Sequence, residues 1–154
     1  MSRVICAGHL NWDVTLRVDA LPDPDGEVAV DSRRCGGGGS AANVANGLAD
    51  LDVDSSLLGS VGDDEHGRTA RAELADNGVD VSHIVTSGDL ETSTKYIVVE
   101  PSGEVMVLGC PGANEAFSAD DLPEAALDGA DHLHMTSQRP ETATRLAERA
   151  AEHG

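Results

Sequence analysis

Short apolar runs and amphipathic segments alternate along most of the chain. Residues 3–8 (RVICAG) and 55–62 (SSLLGSVG) have the length and apolar content of buried strands. A first helix is predicted with Ser40 as its N-cap, because the apolar residues that follow recur on one face. A second helix is predicted over 64–77, since Gly78 stands at a natural C-terminal cap position.

The alternation continues to the end of the sequence. Residues 81–86 and 131–135 are further predicted strands, Ser118 begins a short acidic helix, and Pro140 suits the first turn of a last helix. The apolar stripe of that helix consists of Ala143, Leu146, Ala147 and Ala150. Strands that alternate with helices predict an α/β fold with a doubly wound, mostly parallel sheet flanked by helices. No strand follows the last helix, so we expect the chain to be the front part of a longer protein.

Other segments show the pattern of half-exposed strands instead. Apolar and polar residues alternate over 14–19 and 27–32, with turn residues between them. Residues 94–109 predict a hairpin with a Pro-Ser-Gly turn. Antiparallel strands with one solvated face fit this pattern. We therefore assign 14–33 and 91–109 to a small separate sheet, a lid over one end of the α/β body.

The charge balance excludes two classes of partner. The chain has 28 acidic against 10 basic residues and a formal net charge of -18, which repels nucleic acid phosphates and anionic membrane surfaces. Such an acidic excess favours a protein adapted to a saline cytoplasm over an ordinary acidic protein. Three cysteines without a CxxC spacing argue against a disulfide framework or a zinc site. With no apolar run of the length of a signal peptide or membrane span, we expect a cytoplasmic protein.

Four consecutive glycines precede the first predicted helix, in CGGGGSAANVANGLADL at residues 35–51. Glycine loses the most chain entropy on folding, so such a run marks either a flexible linker or a place where a ligand or backbone comes close. Gly38, Gly39 and Asn43 would bring bare backbone and one amide to the same spot. The two glycines before Gly38 would let the chain leave the lid and turn into the helix.

Asn11 and Asp13 follow the first predicted strand in the segment GHLNWDVTL. In an extended chain, residues two apart point to the same side. In open α/β sheets, ligands bind at the carboxyl ends of the strands. An amide and a carboxylate placed there suit a polyhydroxylated ligand, although both side chains could instead bond their own backbone in a turn.

Taken together, four segments resemble the N-terminal half of the ribokinase-like (PfkB) carbohydrate kinases. They are NWD at 11–13, GGSAANVA at 38–45, GDDEHG at 62–67 and PGAN at 111–114, in that family's order and at its spacing. The resemblance covers essentially all 154 residues. It implies a ribokinase-like fold whose β lid closes over a sugar and often forms the dimer contact. We interpret GDDEHG as a tight turn with a helix cap.

The resemblance also implies a reaction, in which the γ-phosphoryl group of ATP passes to a hydroxyl of a small-molecule sugar or nucleoside, with Mg2+ as a further cofactor. Carried over by position, the substrate-binding residues would be Asn11, Asp13, Gly38, Gly39, Asn43 and, on the lid, Lys95. The family's catalytic aspartate lies in a late GAGD motif, which this sequence lacks. We therefore expect neither the catalytic residue nor a metal site in this chain.

Two positions depart from the family's pattern. Many sugar-specific members place an acidic, substrate-contacting residue in the segment MTSQRP, where this sequence has the neutral Ser137 and Gln138. This weakens ribose itself as the substrate. Lys95, the only lysine, stands where several members have glycine; it either meets an anionic or carbonyl-bearing substrate or is an ordinary exposed lid residue.

Two other functions fit parts of the sequence. Residues 37–42 match GxGxxA and Asp63 lies about 20 residues on, as in a nicotinamide-binding Rossmann domain, but the preceding strand alternates where that fold needs a buried apolar strand. The chain is alternatively a sugar-binding product without catalysis. His132 and His134 lie two apart on a predicted strand without a nearby third ligand, which favours ordinary strand histidines over a metal site.

Overall fold

The computed structural model describes residues 2–153, which form two four-stranded sheets and four α-helices. The strands are β1 (Arg3–Gly8), β2 (Asn11–Val18), β3 (Val30–Gly38), β4 (Asp54–Gly62), β5 (Ile84–Ser87), β6 (Thr94–Val99), β7 (Val105–Cys110) and β8 (His132–Thr136). The helices are α1 (Ser40–Asp50), α2 (Glu65–Asp76), α3 (Glu124–Asp128) and α4 (Pro140–Glu152), with a 3-10 turn at Ala119–Asp121. Within the described range, none of the helices combines the length and apolarity that crossing a membrane requires.

The first sheet is the parallel sheet that the sequence predicts. Its strand order is β5-β4-β1-β8, and all of its strand pairs are parallel. Alternate side chains of β1 enter two apolar clusters, Val4 and Cys6 in one and Ile5 and Ala7 in the other. Because successive side chains of a strand face opposite sides, a strand covered on both faces has to be apolar throughout. β1 meets that requirement.

Helices cover both faces of this sheet, so the doubly wound α/β architecture is confirmed. On one face, α1 and α2 bury Ala41 and Leu74 in the cluster that contains Val4. On the other, α4 buries Leu146 in the cluster that contains Ile5. The hydrophobic core therefore consists of two layers separated by the sheet.

Two helix details differ from the prediction. Gly39, not Ser40, occupies the N-cap position of α1, and the Ser40 hydroxyl makes no capping hydrogen bond. In α4, Ala147 is exposed whereas Arg149 is buried. The Arg149 guanidinium donates to two backbone carbonyls in the segment 119–122, and an apolar side chain in that position would remove both hydrogen bonds.

The second sheet contains strands from both segments that we assigned to the lid. Its order is β3-β2-β6-β7. β2 pairs antiparallel with β3, and β6 with β7, but β2 and β6 run parallel, whereas the pattern predicts antiparallel strands. A parallel pair is possible at the centre because β2 and β6 are far apart in sequence, and each also has its own antiparallel neighbour.

The glycine run lies largely inside this sheet. β2 begins at Asn11 and β3 continues to Gly38, so Gly36 and Gly37 are paired strand residues. The expectation that these two glycines form a turn out of the lid is wrong. These two glycines continue β3 because their backbone groups pair with the first residues of β2. The turn into α1 occurs at Gly39 instead.

Asp64 joins α2 to the second sheet. Its carboxylate caps α2 by accepting the Gly67 N–H at 2.8 Å. It also accepts the Thr92 N–H at 2.6 Å and the Thr92 hydroxyl at 2.7 Å. Burial alone would raise the pKa of Asp64, but the hydrogen bonds from Thr92 and Gly67 lower it below its usual value. The interpretation of GDDEHG as a turn with a helix cap is confirmed.

We expect Asp64→Ala to lower the free energy of unfolding by about 1–2 kcal/mol, since it removes a helix cap. Because the pKa of Asp64 is lowered by folding, its stabilisation is present above the unfolded-state pKa and is lost as pH falls through the folded-state value. Urea unfolding at pH 7 and near pH 3 measures both effects. Asp63→Ala is the control: the Asp63 carboxylate forms an exposed ion pair with Arg68 at 3.1 Å, worth below about 1 kcal/mol. Equal losses in the two variants would contradict this role.

Candidate functional site

Two buried asparagines meet where the chain passes from the first sheet into the second. Asn11 opens β2, and Asn114 lies in the loop after β7. The Asn114 Nδ2 donates to the Asn11 Oδ1 at 2.7 Å. The other two amide atoms, Asn11 Nδ2 and Asn114 Oδ1, are buried without a hydrogen-bond partner in the described structure. A buried polar atom left unpaired costs about 1–3 kcal/mol, so this pair has unused capacity for a ligand.

Asp13 lies next to the asparagines on the same side of β2, as its spacing from Asn11 predicts. Its Oδ1 is also buried without a partner among residues 2–153. Desolvation raises the pKa of the Asp13 carboxyl, and the positive charge of Lys95 partly offsets that rise. Asp13 also lines an open cavity of about 490 Å³ together with Thr15 and Arg34.

At Gly38 and Gly39, neighbouring atoms occupy the space that a side chain would need. A Cβ on Gly38 would overlap the carboxylate of Asp13. Gly39 has a φ of +103°, and a Cβ there would overlap the carbonyl oxygen of His9. Position 39 therefore requires glycine, and glycine at position 38 lets the Asp13 carboxylate keep its place beside it.

The register of the second sheet places Lys95 beside the site. Asp13 of β2 pairs with Lys95 of β6, so both side chains stand on the same face of the sheet. Lys95 is half-buried. Asn43 is placed differently: it is exposed on α1, and the small cavity beside it is lined by Gly37 and Glu73 rather than by Asn11 or Asp13. Its role as a sugar ligand stays a prediction.

Gln138 follows β8, at the edge of the first sheet where β1 also ends. The parallel pairing of β1 with β8 ends at Gly8 and Thr136, two residues before Gln138. Both polar atoms of the Gln138 side chain are buried without a partner in the described range. Its neighbour Arg139 donates its backbone N–H to Glu115 at 3.1 Å. The segment therefore adds a third neutral amide to this edge of the sheet.

A larger cavity of about 580 Å³ lies on the other side of the second sheet, against the start of α2. Its lining includes Glu65, His66 and Tyr96. The Trp12 ring stacks on the His66 ring at a centroid distance of 5.2 Å, between the sheet and α2. This contact could not be predicted, because no local pattern pairs residue 12 with a helix so far along the chain. Asn114 belongs to the segment PGAN, which predicted no role for it.

The glycine run is not the phosphate loop of a Rossmann domain. The strand before it, β3, pairs antiparallel with β2 at the edge of the second sheet. The dinucleotide fingerprint instead follows a strand of the parallel sheet. His132 and His134 lie on β8, and within residues 2–153 no group of three or more His, Cys, Asp or Glu side chains is arranged to hold a metal ion.

The sequence model of the pfkB family carbohydrate kinases matches residues 1–154. The chain belongs to the pfkB family of carbohydrate kinases. A curated pfkB-type relative, the ATP-dependent ribose-1-phosphate kinase of Halopiger xanaduensis, is 53% identical over 156 residues, which cover 100% of this chain and 52% of that protein. The nucleoside kinase of Methanothermobacter thermautotrophicus is 27% identical over 98% of this chain and 49% of its own length. The chain thus spans about half the length of these pfkB relatives.

Solved structures confirm the ribokinase-like fold. The nucleoside kinase of Methanocaldococcus jannaschii, described as an archaeal member of the ribokinase family, superimposes with a TM-score of 0.80 at 27% identity, over 97% of this chain and 49% of that one. Arabidopsis thaliana ribokinase complexed with ribose and ATP superimposes with a TM-score of 0.85 at 20% identity, over 99% and 51% of the two chains.

We expect Gly38→Ala to displace the Asp13 carboxylate and to lower the free energy of unfolding by about 1–3 kcal/mol through overpacking. Gly47→Ala is the matched control, because a Cβ on this glycine of α1 would meet nothing within 4 Å. In that open position alanine should stabilise the helix by about 0.5–1 kcal/mol. Urea unfolding of both variants tests the difference, and a neutral or stabilising Gly38→Ala would show that Asp13 does not need the space.

Proposed function

We propose that the protein containing this chain transfers a phosphoryl group from ATP to a hydroxyl of a sugar or sugar-containing acceptor, and that this chain binds the acceptor. The observation that carries the proposal is the set of buried, unpartnered polar atoms at the join of the two sheets: Asn11 Nδ2, Asp13 Oδ1 and Asn114 Oδ1. They comprise one donor and two acceptors, and the family resemblance implies that Asn11 and Asp13 bind the substrate.

The chemistry of these atoms matches a sugar. The carboxylate of Asp13 and the amide oxygen of Asn114 accept hydrogen bonds from hydroxyls, and the amide nitrogen of Asn11 donates to a hydroxyl oxygen. A hydroxyl both donates and accepts, so neighbouring hydroxyls of one ring can satisfy all three atoms. Sites that bury hydrogen-bonding groups in this way discriminate strongly against ligands that lack the matching hydroxyl.

For the acceptor, we favour ribose 1-phosphate. The relative with 53% identity is an ATP-dependent ribose-1-phosphate kinase. Gln138 supports an acceptor other than ribose, because it stands where many sugar-specific members carry an acidic residue. A nucleoside is the second candidate, since two archaeal relatives are nucleoside kinases, at 27% and 26% identity.

Within this reaction we assign binding, not proton transfer, to this chain. Asp13, Asn11 and Asn114 would orient the acceptor, and positioning of this kind is a large part of catalysis by kinases. ATP supplies the transferred phosphoryl group, and Mg2+ would neutralise its developing charge. Among residues 2–153, no three or more His, Cys, Asp or Glu side chains are grouped to hold a metal ion, and we assign no Mg2+ ligand to this chain. We expect the catalytic aspartate in the remaining half of the protein.

A sugar-binding product without catalysis is the alternative, and one observation separates the two. A reading frame that continues beyond residue 154 into a GAGD motif favours the kinase, and a frame without that motif favours the binding protein.

We also expect two copies to associate through the lid in the cytoplasm, because Val105, Val107 and Leu108 of β7 are exposed at its edge. Analytical ultracentrifugation tests the association.

We expect Asp13→Asn in the complete kinase to raise the KM for the acceptor by more than tenfold, because it removes a charge-assisted hydrogen bond worth about 1.5–3 kcal/mol, while the KM for ATP stays within about twofold. Folding raises the pKa of this carboxyl, so its ionised form is the less stable one in the fold. The variant should therefore be more stable than the parent protein at neutral pH.

The same ionisation gives a pH dependence. Acceptor kcat/KM of the parent protein should rise with pH through the raised pKa of Asp13, and this acidic limb should be absent in Asp13→Asn. Kinetics at saturating ATP and urea unfolding at pH 7 provide the two measurements. Equal losses toward acceptor and ATP, or an unchanged acidic limb, would count against Asp13 as an acceptor ligand.

A further inference from the structure

Within residues 2–153, three lysine or arginine side chains form neither a hydrogen bond nor an ion pair. The sequence has 10 lysines and arginines, all within the described residues. Seven of them form a hydrogen bond or an ion pair through the side chain: Arg3, Arg33, Arg68, Arg71, Arg139, Arg145 and Arg149. The remaining three, Arg17, Arg34 and Lys95, form none within residues 2–153. Because 28 acidic residues could have paired with them, the unpaired state of these three cations requires an explanation.

All three stand on one face of the second sheet. Asp13, Thr15 and Arg17 alternate along β2 and therefore share a face. Arg34 of β3 pairs with Thr15, and Lys95 of β6 pairs with Asp13, so both belong to that same face. Arg33, the neighbour of Arg34, points to the opposite face and contacts the Cys35 sulfur there.

The cations also lie beside the acceptor site. Arg34 lines the cavity of about 490 Å³ that Asp13 lines. Lys95 is adjacent to Asp13 across the strands. Arg34 and Lys95 are separated by two strand spacings across the sheet and by two residues along it, about 12 Å in all, a gap that two long side chains can close around one small anion. Two acidic residues line the same cavity. Glu73 accepts the Gly37 N–H at 2.6 Å, and Asp13 is paired with Lys95 in the register of the sheet.

We propose that Lys95 and Arg34 bind a phosphoryl group that the acceptor already carries, and that Arg17 adds long-range attraction. This inference rests on the proposed function and extends it to the charge of the substrate. A phosphoryl group offers two negative charges and three acceptor oxygens, which match an ammonium donor and a forked guanidinium. Asp13, Asn11 and Asn114 then bind the hydroxyls of the same molecule, so one sheet face distinguishes a sugar phosphate from a free sugar.

The test compares two acceptors that differ only in the phosphoryl group, ribose and ribose 1-phosphate, with the complete kinase at saturating ATP. For Lys95→Gln and for Arg34→Gln, we expect kcat/KM with ribose 1-phosphate to fall by roughly ten- to a hundredfold, the loss of one charge-assisted hydrogen bond. The loss with ribose should be much smaller. Lys95→Arg keeps the charge and should retain most of the preference. Because exposed charges are screened by salt, the preference should also decline as ionic strength rises.

Arg33→Gln is the matched control, since it removes the same charge from the residue beside Arg34 in β3, whose side chain lies on the opposite face. It should leave the ratio of the two acceptors unchanged. Equal losses with ribose and ribose 1-phosphate in Lys95→Gln and Arg34→Gln, or the same change of ratio in Arg33→Gln, would overturn the proposal.

A binding measurement separates this inference from the proposed function. Calorimetric titration of ribose 1-phosphate without nucleotide should show weaker binding for Lys95→Gln than for Arg33→Gln, whether or not turnover occurs. If the parent protein phosphorylates no acceptor but shows this difference in binding, the kinase function fails and the phosphoryl site stands. If the parent protein phosphorylates ribose and ribose 1-phosphate equally well and all variants bind alike, the kinase function stands and the phosphoryl site fails.

Discussion

The chain first passes from the first sheet to the second through two residues, His9 and Leu10, and the candidate site depends on that short connection. Leu10 is fully buried in the core. The His9 carbonyl fills the space that a side chain on Gly39 would need and accepts the Ala42 N–H at 3.4 Å. Because the backbone of the α1 start packs against this connection, Asn11 is buried where β2 begins. A buried amide can form hydrogen bonds only with the protein or a bound ligand, and Asn114 provides only one such bond to Asn11.

This constraint concentrates unsatisfied polarity in one place. Unpaired amide atoms, a carboxyl with a raised pKa and three unpaired cations all lie on or beside one face of the second sheet. Elsewhere among residues 2–153, the buried hydroxyls of Ser40 and Ser56 are also unpaired, but two charged groups are paired: the buried Arg149 donates to carbonyls and a carboxylate, and Asp64 accepts three hydrogen bonds. The contrast indicates that the second sheet gives up stability for ligand binding, because each unmet buried group costs free energy until a ligand pairs with it.

Sequence patterns predicted most of the elements and the positions of Asn11, Asp13 and the two glycines beside them. Buried strands such as β1 are apolar throughout, and the cap of α2 is a local signal. What could not be predicted depends on contacts between distant segments. Gly36 and Gly37 continue β3 only because β2 pairs with them. The burial of Arg149 depends on carbonyls 27 and 30 residues away. The unpaired cations become a group only once the register of three strands is known.

A structure of the complete protein with an acceptor sugar bound is the most direct test of the acceptor site. The account predicts ligand hydroxyls within hydrogen-bond distance of Asn11 Nδ2, Asp13 Oδ1 and Asn114 Oδ1, the atoms left unpaired here. Contradiction would come from an acceptor in the cavity of about 580 Å³ lined by Glu65 and Tyr96, with the Asn11 and Asn114 amides still unpaired.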